Sequence, residues 1–195
     1  MPAEPLRVAF RRQLREQALE QAYALTVEQG WDRVRMGQVA TATGVSRPTL
    51  YKEFGDKQGL GEALVRGETE RFLVGVQQAL DGAPDVPQAV VAAVRYALGE
   101  AERSPLLRAV LTSTRGDDAG LLPLLTTRSA PLLEAAGGVL SGWLSRALPD
   151  HDERDVVEAA DALARLVVSH LVQPAGTPDE IAERLARVAL RVLQL

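Results

Sequence analysis

The chain reads as an all-α protein, and three observations carry that reading. Apolar residues recur at helical spacing in one segment after another, from end to end. Leu, Ala, Val, Arg and Glu dominate, and aromatic residues are only 4% of the 195, a composition that favours helices over sheets. The interruptions are Pro, Gly, Asp and Ser clusters, the residues that stop one helix and cap the next.

Phe10, Leu14, Ala18, Ala22 and Leu25 set out a long first helix ending near Gly30. Its expected role is to pack behind the pair of short helices at 36–54. That pair is joined at Gly44, which permits the positive φ a tight turn needs. Val39 and Ala40 give its first helix apolar contacts, Leu50 and Phe54 the second, and Ser46 is placed to cap the second. A fourth helix starts at Asp56, its cap, and continues past Leu60, Leu64, Phe72 and Val76 toward Leu80 without a flexible linker. Gly-Ala-Pro-Asp-Val-Pro at 82–87 breaks the pattern, and Pro87 opens a helix through Val90, Val94 and Leu98. Ser104-Pro105 ends it and starts a short helix at 105–113, followed by a polar loop from Arg115 to Gly120. Helical pattern resumes at Leu121 or Leu122 and runs to about Leu148, with bends expected at Pro131 and Gly137-Gly138. Asp150 or Asp152 caps a helix reaching Val172, and Thr177 with Pro178 begins a last one to Leu193.

The helix pair at 36–54 is the most informative stretch. Its small apolar residues let two helices cross closely, which leaves Arg47, Pro48, Thr49, Tyr51 and Lys52 at the outward end of the second. An α-helix fits the DNA major groove and meets base edges with its N-terminal residues. These five, with Arg35 before them and Lys57 after, make a candidate DNA-reading head. Arg47 is placed to read a base, most simply guanine, and Thr49, Tyr51 and Lys57 to hold phosphates. An ordinary α-hairpin with a solvated charged face is the plainer alternative.

Gly30-Trp31, Val39-Ala40, Gly44-Val45-Ser46, Thr49-Leu50-Tyr51, Phe54 and Lys57 fall as they do in TetR-type transcriptional regulators. Over residues 8–65 the chain resembles that family. The resemblance implies an all-helical homodimer. An N-terminal three-helix helix-turn-helix DNA-binding domain, here residues 1–55, would bind a near-palindromic operator. A larger helical ligand-binding and dimerisation domain, here 56–195, would take a small molecule that releases the DNA. It also implies repression. Three places depart from the family pattern. Val34 and Arg35 stand where a hydroxyl residue usually caps the motif and touches a phosphate, a contact Arg35 can replace. Gly37 stands where Arg or another polar residue is common, and Pro48 replaces a small residue.

Composition agrees. With 46% apolar residues and 195 residues in all, the chain can bury a sizeable core. It has no cysteine, which excludes disulfides, thiolate metal sites and cysteine nucleophiles. No signal-peptide pattern and no apolar run near the roughly 20 residues of a membrane helix are present, so no membrane partner and a cytoplasmic location are expected. The net charge of −4 is unevenly placed: residues 1–66 carry ten basic and eight acidic side chains, and both lysines lie there. A DNA contact depends on such a local basic face, not on the total.

The last two helices present broad apolar faces. Val156, Ala160, Leu163, Val167 and Leu171 on one, and Ile181, Leu185 and Val188 on the other, are the candidate dimer interface, able to form a four-helix bundle with a second copy. Periodicity alone allows equally that they cover the subunit's own core. Symmetry would set two reading heads about 34 Å apart, one DNA turn. Candidate effector-lining residues are Phe72, Tyr96, Leu107, Leu111, Trp143, Leu166 and His170. The Leu, Val and Ala richness around them favours an apolar, elongated small molecule; for each residue singly, core packing is the alternative.

Enzyme chemistry finds little support. The two histidines, His151 and His170, stand far apart, and no His-Glu-x-x-His, Gly-rich phosphate loop or Gly-x-Ser-x-Gly occurs. Asp150, Asp152, Glu153 and Asp155 around His151 suit a helix start better than a metal site. No cofactor is expected. Beside a ligand-responsive repressor stand two other readings: a small-molecule binding protein with a vestigial helix-turn-helix, and a helical enzyme.

Overall fold

The computed structural model describes residues 6–107 and 121–195, and every regular element among them is helical. The described residues up to Gly67, with 105–107 and 121–123, form one compact unit; 68–104 and 124–195 form the other. The division falls inside the fourth helix, whereas the sequence places it at 55/56. The expected loop from Arg115 to Gly120, most of the short helix at 105–113 and Leu111 lie outside the described residues.

In the first unit α1 (Leu6–Gln29) buries Leu14, Ala18, Ala22 and Thr26. Thr26 is satisfied there, its hydroxyl donating to the Ala22 carbonyl at 2.6 Å. Phe10, counted in the apolar stripe by its spacing, is 64% exposed, because the stripe's first turn has nothing to cover it within the described unit. A 3-10 turn (Trp31–Arg33) buries Trp31 and leads to α2 (Met36–Thr43) and α3 (Arg47–Phe54). Helix α2 packs on α1 and on α3. Helix α4 (Lys57–Asp81) is unbroken, and Asp56 caps it by accepting the Gly59 N–H at 2.8 Å.

The second unit is built from the rest of α4, α5 (Val86–Arg103), α7 (Ala130–Ala147), α8 (Glu153–Val172) and α9 (Pro178–Val192), after a short α6 (Leu122–Leu125). A side-chain cap starts three of the long helices. Asp85, Asp152 and Thr177 accept the N–H of Gln88, Arg154 and Glu180 respectively. The helical pattern from Leu122 to Leu148 is not one bent helix. It breaks between Leu125 and Ala130, and Gly137-Gly138 lie inside α7. Pro131 lacks the N–H a continuous helix requires, so it takes the first turn of a new one.

The core of this unit takes up most of the residues expected at the dimer seam. Val156, Ala160, Leu163, Ile181 and Leu185 are each 3% exposed or less within the single chain. They pack with Val90, Val94, Leu98 and Leu144, as α9 lies on α5 and α8. A fully buried aliphatic side chain contributes about 1.5–3 kcal/mol to the subunit's own fold and has no area left to bury against a partner. Val167 and Leu171 are half-buried against the same core, and Val188 is exposed. The apolar face of α9 therefore covers its own subunit.

Candidate nucleic-acid interface

The turn between α2 and α3 is fixed by backbone chemistry. Gly44 adopts φ 70° and ψ 19°, the left-handed conformation that a side chain disfavours. The chain leaves it extended at Ser46, whose hydroxyl accepts the Thr49 N–H at 3.3 Å and pairs with the Thr49 hydroxyl at 2.8 Å. Pro48, in the first turn of α3, has no N–H to lose. Leu50 and Phe54 are buried, so the opposite face of α3 presents Arg47, Pro48, Thr49, Tyr51 and Lys52 to solvent. The cap settles which end faces outward, and the buried pair settles which side.

Beside it a surface groove of about 740 Å³ runs between α2 and α3. Arg35, Arg47 and Tyr51 line it together with Gln38 and Thr41. The last two are not among the residues singled out from the motif, although their phase on α2, opposite the buried Val39 and Ala40, marks them as outward. Arg35 is extended ahead of α2, and its N–H donates to the Gln38 side chain at 2.8 Å. Its guanidinium turns back to donate to the Asp32 carbonyl at 2.7 Å. Lys57 differs from the rest of the set. It is half-buried, its ammonium 5.1 Å from the centre of the Trp31 ring and 3.2 Å from the Asp32 carbonyl. Arg35 and Lys57 thus meet on one carbonyl, at the turn that leads into α2.

Two arginines of the basic head have a different occupation. Arg11 and Arg15 of α1 both donate to the carboxylate of Glu53 on α3, at 2.6 and 3.1 Å. They clamp the end of α3 to α1.

The candidate effector residues do not gather as one set. Phe72 and Tyr96 meet, their ring centres 5.9 Å apart. Tyr96 lies across α4 at Gly75, where a Cβ would stand 2.0 Å from the Tyr96 hydroxyl oxygen. Burial, reinforced by the Glu100 carboxylate and opposed by Arg103, pushes the Tyr96 phenol above its ordinary pKa. Trp143 donates its indole N–H to Asp81 at 3.0 Å, and Leu166 packs partly buried on the core. His170 accepts from Arg184 at 3.3 Å, and the same guanidinium donates to the Ala175 carbonyl. Leu107 belongs to the other compact unit. The acidic residues around His151 make a helix start, with Asp152 as the cap. Among the described residues no group of side chains is arranged to hold a metal, and no helix is long and apolar enough to cross a membrane.

Comparisons with known proteins agree with this geometry. Residues 18–64 match the family model of bacterial regulatory proteins of the tetR family, and residues 85–191 that of the bacterial tetracyclin repressor C-terminal domain. The HTH-type transcriptional regulator AlkX of Mycobacterium tuberculosis is 29% identical over 185 residues, which span 94% of this chain and 87% of that one. The crystal structure of the TetR family repressor AlkX from a Dietzia strain, implicated in biodegradation of n-alkanes, is 31% identical, with a TM-score of 0.75 over 91% of this chain and 96% of that one. The R. erythropolis transcriptional repressor QsdR shares the fold, with a TM-score of 0.67 at 14% identity over 94% of this chain and 96% of that one.

Proposed function

The chain belongs to the TetR family of bacterial transcriptional regulators, and from that premise we propose that it is a dimeric repressor whose operator is released by an elongated apolar molecule. It is a DNA-binding regulator and not an enzyme. One observation carries the DNA reading: the capped N-terminus of α3 exposes Arg47, Pro48, Thr49, Tyr51 and Lys52 together beside the α2 groove. In this reading Arg47 takes a base edge, while Thr49, Tyr51, Lys52 and Arg35 take backbone or neighbouring contacts. Lys57 reaches a phosphate from the start of α4. The protein acts in the cytoplasm, where its operator is.

A second copy is needed to read a near-palindrome. With the apolar face of α9 used largely inside the subunit, the second copy is placed against α7 and α8, where Val157 is exposed. Between them lies a groove of about 460 Å³, lined by Leu133, Gly137, Gly138, Ser141, Val157 and Asp161 among others. A Cβ at Gly137 or Gly138 would meet nothing within 4 Å, so a partner's backbone has room to approach closely there.

The effector reading rests on the n-alkane context of the Dietzia relative and on the partly buried Phe72, Tyr96, Trp143 and Leu166, apolar side chains packed at the edge of the core of the second unit. A mobility-shift titration on the chain's own upstream region tests both parts. A retarded complex is expected, dissolved by a medium- or long-chain alkane or its oxidised product and not by a short polar acid. No retarded complex at low salt would end the DNA reading; a complex indifferent to every chain length would end the effector reading alone.

A further inference from the structure

We propose that Gly37 is a specificity-determining residue that acts through Arg47, fixing how its guanidinium is presented to DNA. The proposal rests on Arg47 as the base-reading residue and adds what aims it. A Cβ built on Gly37 would lie 2.8 Å from Nη2 of Arg47 and 3.0 Å from its Cζ and Nε. Three atoms of the guanidinium thus lie over the bare Cα of α2, Nη2 closer than a real methyl contact allows and the other two at its tight limit.

The two ends of this contact differ in stiffness. The backbone at Arg47 is fixed, because Ser46 caps α3 just before it and Pro48 follows with its φ locked. Gly37 sits in the first turn of α2, anchored by buried Met36 and Val39 on either side. The side chain of Arg47 is exposed and long. If a methyl group appears at position 37, the arginine must swing and both helices stay. Its new rotamer leaves the edge of the groove that Gln38 and Thr41 share with it. Recognition of guanine by arginine is bidentate and planar, so a rotated fork does not reach the same pair of acceptors.

The test is a selection from a random DNA duplex library with wild type, Gly37→Ala, Arg47→Ala and the double variant, each checked for fold by circular dichroism and thermal melting. Gly37→Ala should melt at or above the wild-type temperature, since alanine favours a helix over glycine. It should lose about tenfold or more in preference at one base position of each half-site, the position that Arg47→Ala also relaxes. In the Arg47→Ala background the glycine substitution should change nothing further in preference. An unchanged preference for Gly37→Ala, or an equal change with and without Arg47, overturns the proposal while leaving Arg47 as the reader. If Arg47→Ala itself selects the wild-type site at full strength, the reading head is misassigned and the proposal falls with it.

Discussion

Arg15 of α1 donates to the carboxylate of Glu53 at 3.1 Å while its guanidinium carbon stands 5.0 Å from the centre of the neighbouring Phe54 ring. With Arg11 at 2.6 Å on the other carboxylate oxygen, the Glu53 side chain is 9% exposed. These arginines add to the basic count of the head, but they orient α3. The reading helix is therefore held from behind by charge as well as by the burial of Leu50 and Phe54.

Glu53→Gln keeps the shape and removes the charge. Arg11 is 70% and Arg15 35% exposed, so water replaces much of what is lost. The expected loss of stability is about 1–2 kcal/mol, read from the denaturation midpoint. Operator affinity should fall without any change in the preferred sequence, because no base contact is touched. A changed base preference would mean that Glu53 or its partners reach the DNA.

Arg47→Ala should lose about 1–3 kcal/mol at a single base position and relax specificity there. Lys57→Ala should weaken all sequences alike and reduce the salt slope by about one unit. The structure adds a second effect for Lys57. Its removal uncovers Trp31 and leaves the Asp32 carbonyl with one donor fewer, so the melting temperature should also fall. Salt titrations of binding beside thermal melts separate the two roles.

The features legible in the sequence are those decided within a few residues. Ser46, Asp56 and Thr177 cap helices because a short polar side chain meets an unpaired N–H two or three residues on. Gly44 turns the chain because its φ demands it. Contacts decided between distant residues are illegible. The arrival of Tyr96 at Gly75 and the role of Asp81 as acceptor for Trp143 have no local signature. The apolar phase of α9 is legible but its partner is not: Ile181 and Leu185 look the same in sequence whether they cover α5 of their own subunit or a second copy.

Gly75→Ala tests how firmly Tyr96 is held. The added methyl would lie 2.0 Å from the hydroxyl oxygen and 2.2 Å from the ring carbon that bears it. A ring has no flexible end to withdraw, and this one is packed against Phe72 and the core. The expected loss is about 1–3 kcal/mol from overpacking, despite alanine's better helix propensity. Near-ultraviolet circular dichroism of the displaced tyrosine checks it; a variant more stable than wild type would show that the ring moves freely.

The start of α9 should give the acid side of the stability curve a visible shape. The Thr177 N–H and hydroxyl both donate to Glu180, at 2.9 and 3.0 Å, and hold its carboxyl below the ordinary glutamate range. A carboxyl lowered in the folded state stabilises it above the unfolded pKa, about 4.3, and loses that effect as pH falls through the folded value. Glu180→Gln should therefore lower the melting temperature at pH 6 and converge with wild type toward pH 3. Thr177→Ala removes the hydroxyl cap and should lower stability by about 1 kcal/mol. Parallel melting curves for Glu180→Gln and wild type from pH 6 to 3 would contradict the assignment.

The subunit seam is tested by contrasting two residues on one helix. Leu163 is 2% exposed and Val157 is 50% exposed within the single chain. Leu163→Glu places a charge in the subunit's own core, which no partner can relieve, and should unfold the C-terminal unit outright. Val157→Glu leaves that core intact. It puts a carboxylate beside Gly137, Gly138 and Asp161, on the α7–α8 face where the second copy is proposed to sit. Both subunits carry the substitution, so the seam would have to bury two new carboxylates. Light scattering should report a monomer with wild-type helix content, and operator affinity should drop because a single head cannot span both half-sites. A folded dimer for Val157→Glu would move the seam off this face. A folded monomer for Leu163→Glu would return it to the face that the sequence alone suggested.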